Sequence, residues 1–274
     1  MLLITQEKDC FLDFNGGSIK SLIFNGQTYT PEEIEQVWRE NKIHLKIEHY
    51  KPVGTANVLE LVAQNSYNND QFGMVLVKDP NGDRYRYIQT VPYYASRVVP
   101  MFDQPNLKGS YAISILHSSV DIGVTTGKQV SSTPVDKLDA KSTNWAESQV
   151  AHFKVEIAES VFTHFEKTPY LSSYNLNLVC GPLVCFPADP DQTHRGIPMN
   201  LYCRSKLSPH AQKVLLSTSR TRRTTSTSSK STVWSSTSSS STTSTRSPSW
   251  TVSSAQISLS VRWSTQVRSH IQRN

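Results

Sequence analysis

Cys180, Cys185, His194 and Cys203 place four soft ligands within 24 residues of the 274-residue chain. Their order suits a tetrahedral zinc ion. Their spacing does not: four residues separate the first pair and eight separate each later pair, wider than compact zinc knuckles use. Cys180 and Cys185 also sit inside apolar runs, where a thiol packs as a small hydrophobe. No metal and no other cofactor is expected from this pattern.

Gly123-Val-Thr-Thr-Gly127-Lys128-Gln129 follows an apolar run and invites comparison with a phosphate-binding loop. Such a loop needs four residues between its glycines, a hydroxyl after the lysine and a helix behind it. Here three residues intervene, Gln129 replaces the hydroxyl residue, and Val130–Pro134 opposes a helix. The segment reads as a glycine-flanked turn between strands.

His117-Ser118-Ser119 with Asp121 is the densest group that could do acid–base or nucleophilic work. Strand alternation sends His117 and Ser118 to opposite faces, which argues against a shared site. An enzyme site near His117 and Asp121 stands as an alternative. His44, His49, His152 and His164 are scattered and read as structural. Between 84 and 94, Arg84, Arg86 and Gln89 interleave with Tyr85, Tyr87, Tyr93 and Tyr94, a mixture that could stack and neutralise single-stranded nucleic acid. Neither strand face collects both residue types, so an ordinary half-buried strand is the better reading.

The last acidic residue is Asp191, and twelve basic residues follow it, so 1–191 carries a formal charge of −6 and the remainder +12. Of the 38 positions from Ser217 to Ser254, 28 are Ser or Thr, too few apolar groups to offset chain-ordering entropy. A disordered tail is expected from 208. Arg220, Arg222, Arg223, Lys230 and Arg246 could neutralise phosphates, and Trp234 and Trp250 could stack on unpaired bases. Phosphorylation of the serines would reverse the charge and switch such binding off. Ile257, Leu259, Val261 and Trp263 alternate with polar residues across 255–267, a strand-like segment that could dock on an edge strand or mediate self-association. Monotony of this kind also arises where a coding region is shared with a second reading frame, as in compact viral genomes.

The elements that must position these groups are short strands. Asn15-Gly16-Gly17 and Asn25-Gly26 flank 19–24 and predict hairpins on both sides. Thr30, Pro31 and Glu33 predict an N-cap, N1 and capping box for a helix over 30–41, with Ile34, Val37 and Trp38 on its apolar face. Period-2 runs predict strands at 43–49, 57–63, 72–78, 84–91, 111–123, 172–180, 183–186 and 199–207. The turn Asp79-Pro80-Asn81-Gly82-Asp83 joins two of them as a hairpin. Residues 125–142 read as a polar connection, and 148–167 as a strand passing into a short helix.

The expected architecture is mainly β: an antiparallel sandwich or barrel over 1–207 with one or two short helices, followed by a disordered basic tail over 208–274. No apolar run is long enough for a signal peptide or a membrane span, which points to a cytoplasmic protein, in a host cell if viral. The composition points to a non-enzymatic RNA-binding protein whose partner is single-stranded nucleic acid or another polyanion. Its layout resembles that of viral accessory, movement or structural proteins. A protein-interaction module with a phosphorylatable spacer is the other alternative.

Overall fold

The computed structural model describes residues 10–52, 55–137, 159–187 and 200–213. They are mainly β with antiparallel pairing, as expected. Each sheet is open, so no barrel closes among the described residues. The chain divides into two compact units, one ending at Pro182 and one beginning at Leu183.

The first unit holds two apolar cores. The earlier one starts with β1 (Phe11–Asp13) and β2 (Ser18–Phe24), which turns through Asn25-Gly26 into β3 (Gln27–Thr28). Asn25 and Gly26 take φ of 53° and 87°, the left-handed geometry of a two-residue hairpin turn. The Asn25 side chain also reaches across the sheet, donating to the His49 and Asn57 oxygens and accepting from the Val58 N–H. The helix α1 (Pro31–Val37) opens on the expected capping box: Glu33 N–H donates to Thr30 Oγ1 at 3.3 Å, and Thr30 N–H donates to Glu33 Oε2 at 2.9 Å. It ends four residues earlier than the periodicity predicts. Trp38–Arg39 forms β4 and turns through Glu40 and Asn41, both at positive φ, into β5 (Lys42–His44).

The pairing of β1 corrects an expectation. Its partner is β5, not β2 across Asn15-Gly16-Gly17. β2 instead pairs β6 (Leu59–Gln64). Leu12, Phe14, Leu22, Phe24, Ile43 and Leu59 meet Ile34 and Val37 of the helix in this core.

The second core draws on two sheets. One has the order β10 (Ile122–Thr125), β13 (Leu178–Gly181), β8 (Arg84–Gln89), β7 (Gly73–Lys78), and the other β11 (Gln129–Pro134), β12 (Ser160–Phe165), β9 (Ser114–Ser118). β7 (Gly73–Lys78) and β8 (Arg84–Gln89) form the expected hairpin, with Gly82 at φ 93°. The apolar run 111–123 is not one strand. β9 (Ser114–Ser118) turns at Asp121 into β10 (Ile122–Thr125), which joins the other sheet. The polar connection expected at 125–142 holds β11 (Gln129–Pro134), which pairs β12 (Ser160–Phe165). The helix expected to close 148–167 is absent from its described part, because Phe162 and Phe165 belong to β12. β13 (Leu178–Gly181) completes the set. Met74, Ile115, Phe165, Leu178 and Cys180 meet in this core.

The second unit contains the hairpin of β14 (Leu183–Pro187) and β15 (Asn200–Arg204). Residues 208–213 are helical, where the composition predicts no order. No helix among the described residues is long and apolar enough to cross a membrane.

Candidate functional site

Between β8 and β9 the chain runs through residues 90–113 with only a short 3-10 turn at Ala95–Arg97. A connection of that length inside a compact unit is uncommon and is often functional. This one is built into the core. Ala95, Val98, Val99 and Met101 are buried in the second core, while Phe102 packs against the first. Met101 and Asp13 exchange two backbone hydrogen bonds, at 2.8 and 3.0 Å, which ties the loop to β1.

Polar anchors hold the same loop. The Thr90 hydroxyl is buried and faces the Tyr174 and Leu176 carbonyls at 2.9 and 3.0 Å. The Asp103 carboxylate accepts from the Ser96 N–H and from the Ser173 hydroxyl. The Asn65 side chain donates to the Arg97 carbonyl. At Gly73 a Cβ would lie 2.6 Å from the Arg97 Cβ, and φ is +73°. A glycine there lets β7 start against the loop.

Mounted this way, the loop presents an aromatic ledge. Tyr94 stacks on Phe72 with centroids 4.3 Å apart and touches Tyr93 at 5.3 Å. The Arg97 guanidinium lies 5.0 Å from the Tyr94 ring centre and pairs with Asp70 at 2.5 Å. That pairing holds the Asp70 carboxyl below its ordinary value, although an ion pair this exposed adds little to stability. Tyr93 is 63% exposed and Val91 is 49% exposed, so the ledge offers apolar surface to solvent on a loop anchored in the core. The sequence pointed to Tyr93 and Tyr94. Phe72, Asp70 and Arg97 were not legible, because nothing local brings 70–72 against 94–97.

The arginine and tyrosines of β8 take a different role. Tyr85 and Arg86 are buried. Arg86 pairs with Asp121 at 3.2 Å, both side chains under 10% exposed. Burial raises the Asp121 carboxyl, while the charges of Arg86 and His117 oppose it. Burial likewise pushes the Cys180 thiol up to about 12. Arg86 is therefore a counter-ion inside the molecule and not a contact for nucleic acid. His117 and Asp121 each bond elsewhere: the imidazole meets the Ser118 carbonyl and the Thr163 hydroxyl at 2.8 and 2.9 Å. Another imidazole, His164, meets the Ser114 hydroxyl at 2.7 Å across the same sheet.

The four soft ligands do not assemble among the described residues. Cys180 is buried in β13 of the first unit. In the second unit Cys185 opposes Tyr202 and Cys203 opposes Val184, so the two thiols leave opposite faces of the hairpin. His194 lies outside the described residues, as do Arg220, Arg222, Arg223, Lys230, Trp234, Arg246, Trp250 and the segment 255–267. At Gly127 a Cβ would lie 2.4 Å from the Glu166 carbonyl oxygen, so this glycine closes the β10–β11 turn against β12.

No protein-family model matches the chain. It is similar to aminopeptidase N of Streptomyces lividans, 25% identical over 203 residues, which is 74% of this chain and 20% of that protein. It is also similar to glutamyl aminopeptidase of Bos taurus, 31% identical over 111 residues, 40% of this chain and 9% of that protein. Among solved structures, Legionella pneumophila aminopeptidase A, crystallised with aspartic acid, shares the fold. Its TM-score is 0.53 and its identity 17%, over 73% of this chain and 20% of that one. The chain thus spans a fifth or less of each relative's length.

These similarities correct the functional expectation. Three-quarters of the chain aligns with a peptidase, which overturns the reading as a non-enzymatic, RNA-binding viral accessory or movement protein. The tail's composition misled because a basic, Ser/Thr-rich character is shared by many unrelated functions.

Proposed function

We propose that this chain is the β-rich part of an aminopeptidase, an enzyme that removes residues from the amino end of peptides. The alignment over 203 residues with the Streptomyces enzyme carries this reading. The shared fold of the Legionella enzyme supports it. Within it, the ledge of Val91, Tyr93 and Tyr94 is the surface that meets peptide side chains. Exposed aromatic rings on a fixed backbone offer apolar contact at small entropic cost.

The test is incubation of the full chain with peptides beginning in Glu, Asp, Ala or Leu, each with a free or an acetylated amino end. Mass spectrometry reads release of the first residue, and calorimetry reads binding. Release of the first residue from free peptides, or binding that requires the free amino end, supports the proposal. Equal treatment of free and acetylated peptides in both measurements overturns it.

A further inference from the structure

Three side chains on neighbouring strands form a continuous hydroxyl–imidazole chain away from the ledge. Ser132 Oγ lies 3.0 Å from Thr163 Oγ1, and Thr163 Oγ1 lies 2.9 Å from His117 Nε2. Ser132 opposes Thr163 directly in the β11–β12 register, and His117 projects from β9 on the far side of β12. Thr163 is 2% exposed, whereas Ser132 is exposed on β11, an edge strand of its sheet.

The direction of this chain follows from His117 Nδ1, which sits 2.8 Å from the Ser118 carbonyl oxygen. A carbonyl only accepts, so Nδ1 carries the ring proton, and in the neutral imidazole Nε2 is the acceptor. The Thr163 hydroxyl then donates to Nε2, which leaves Thr163 Oγ1 to accept from Ser132. Every proton points inward from the exposed serine to the base. A nucleophile within hydrogen-bond reach of a base, with that base oriented by a third group, is the arrangement that activates a hydroxyl. Here one buried hydroxyl stands between the two.

We propose that Ser132 is an activated nucleophile that takes the acyl group of small activated esters, with Thr163 and His117 drawing off its proton. Ser132 Oγ forms a bond to the ester carbonyl carbon as its proton passes to Thr163 Oγ1 and the Thr163 proton passes to His117 Nε2. The tetrahedral adduct collapses, its bond to the leaving oxygen breaks, and the leaving group departs with that electron pair. The imidazolium returns its proton to the departing oxygen or to water. The product is an acyl ester on Ser132, and no oxidant or reductant is needed. Among the described residues no strand pairs the outer edge of β11, which leaves room for small acyl donors. This inference stands independently of the aminopeptidase reading, since it uses none of the ledge residues.

The test is acetylation by p-nitrophenyl acetate, followed by peptide mapping of the intact chain. Its neighbour Ser131 is the internal control, being a serine of the same strand that points the other way. The expected result is acetyl on Ser132 well ahead of Ser131, with the label lost in Ser132→Ala. Thr163→Val and His117→Gln should each slow acetylation of Ser132 about 100-fold, the usual scale of general-base help. Thr163→Ser keeps the hydroxyl and should react like the parent, which separates loss of the proton path from loss of fold. Equal acetylation of Ser131 and Ser132, or a Thr163→Val rate equal to the parent rate, overturns the proposal.

Discussion

In the first core Phe24 meets Gln27 across a two-residue turn, and Trp38 meets Ile43 across another. In the second core Val179 pairs with Tyr87, and Thr163 with Ile115, after long excursions of chain. The difference is one of entropy. Two-residue turns and a capped helix close part of the first core locally, whereas the second, beyond its β7–β8 hairpin, must bring distant strands together before any burial repays the cost. The second core also encloses charge, the Arg86–Asp121 pair, while the first has its ion pair, Lys46–Glu33, partly open to solvent. The loop 90–113 belongs to both: Met101 is buried in one and Phe102 packs on the other.

The sharpest way to break this comparison is to damage each core once. Asp121→Ala leaves the Arg86 guanidinium buried without its counter-ion and should cost about 3–5 kcal/mol. Phe14→Ala, at a site with no solvent exposure, should cost about as much, 3–5 kcal/mol, through cavity formation. Because the Asp13–Met101 bridge joins the cores, either change should lower a single urea transition read by tryptophan fluorescence and by circular dichroism alike. Two separate transitions would show that the cores fold independently.

A smaller effect is expected at the loop's anchor. Thr90→Val removes a buried hydroxyl from two carbonyls and should cost about 1–3 kcal/mol in the same measurement. Thr30→Ala removes the cap of a seven-residue helix in the first core and should cost about 1 kcal/mol. The smallest effect is a slope. The Asp121 carboxyl is raised in the folded state, so that state holds the proton to higher pH than the unfolded chain does. Its contribution to stability is therefore greatest in acid and is lost as pH rises from the ordinary carboxylate value through the raised one. Stability measured against pH should fall across that window in the parent, relative to Asp121→Asn.

How much was legible follows the same division. Thr30-Pro31-x-Glu33, Asn25-Gly26 and the Asp79–Asp83 turn carry their structure in local chemistry, and each appears where expected. The partner of β1 was not legible, since Asn15-Gly16-Gly17 has the composition of a hairpin turn while β5 offers the better register for Leu12 against Ile43. β11 is not legible in the sequence because Ser131, Ser132 and Thr133 alternate no apolar side chains, and its strand character comes from pairing with β12. Of the ledge, Tyr93 and Tyr94 were visible as residue types. Their stacking partner Phe72 and the Arg97–Asp70 pair depend on the fold. The similarity to aminopeptidases had no short motif to carry it and emerges only over alignments of 111 and 203 residues.

The central claim is that the loop joining the two cores mounts an aromatic ledge for peptides with a free amino end. The most direct measurement is a nuclear magnetic resonance titration of the labelled chain with a tripeptide and its acetylated twin. The account predicts shifts concentrated at Val91–Arg97 and Phe72 for the free peptide, much weakened for the acetylated one and in Tyr93→Ala. Shifts that avoid these residues, or that are equal for the two peptides, would contradict it.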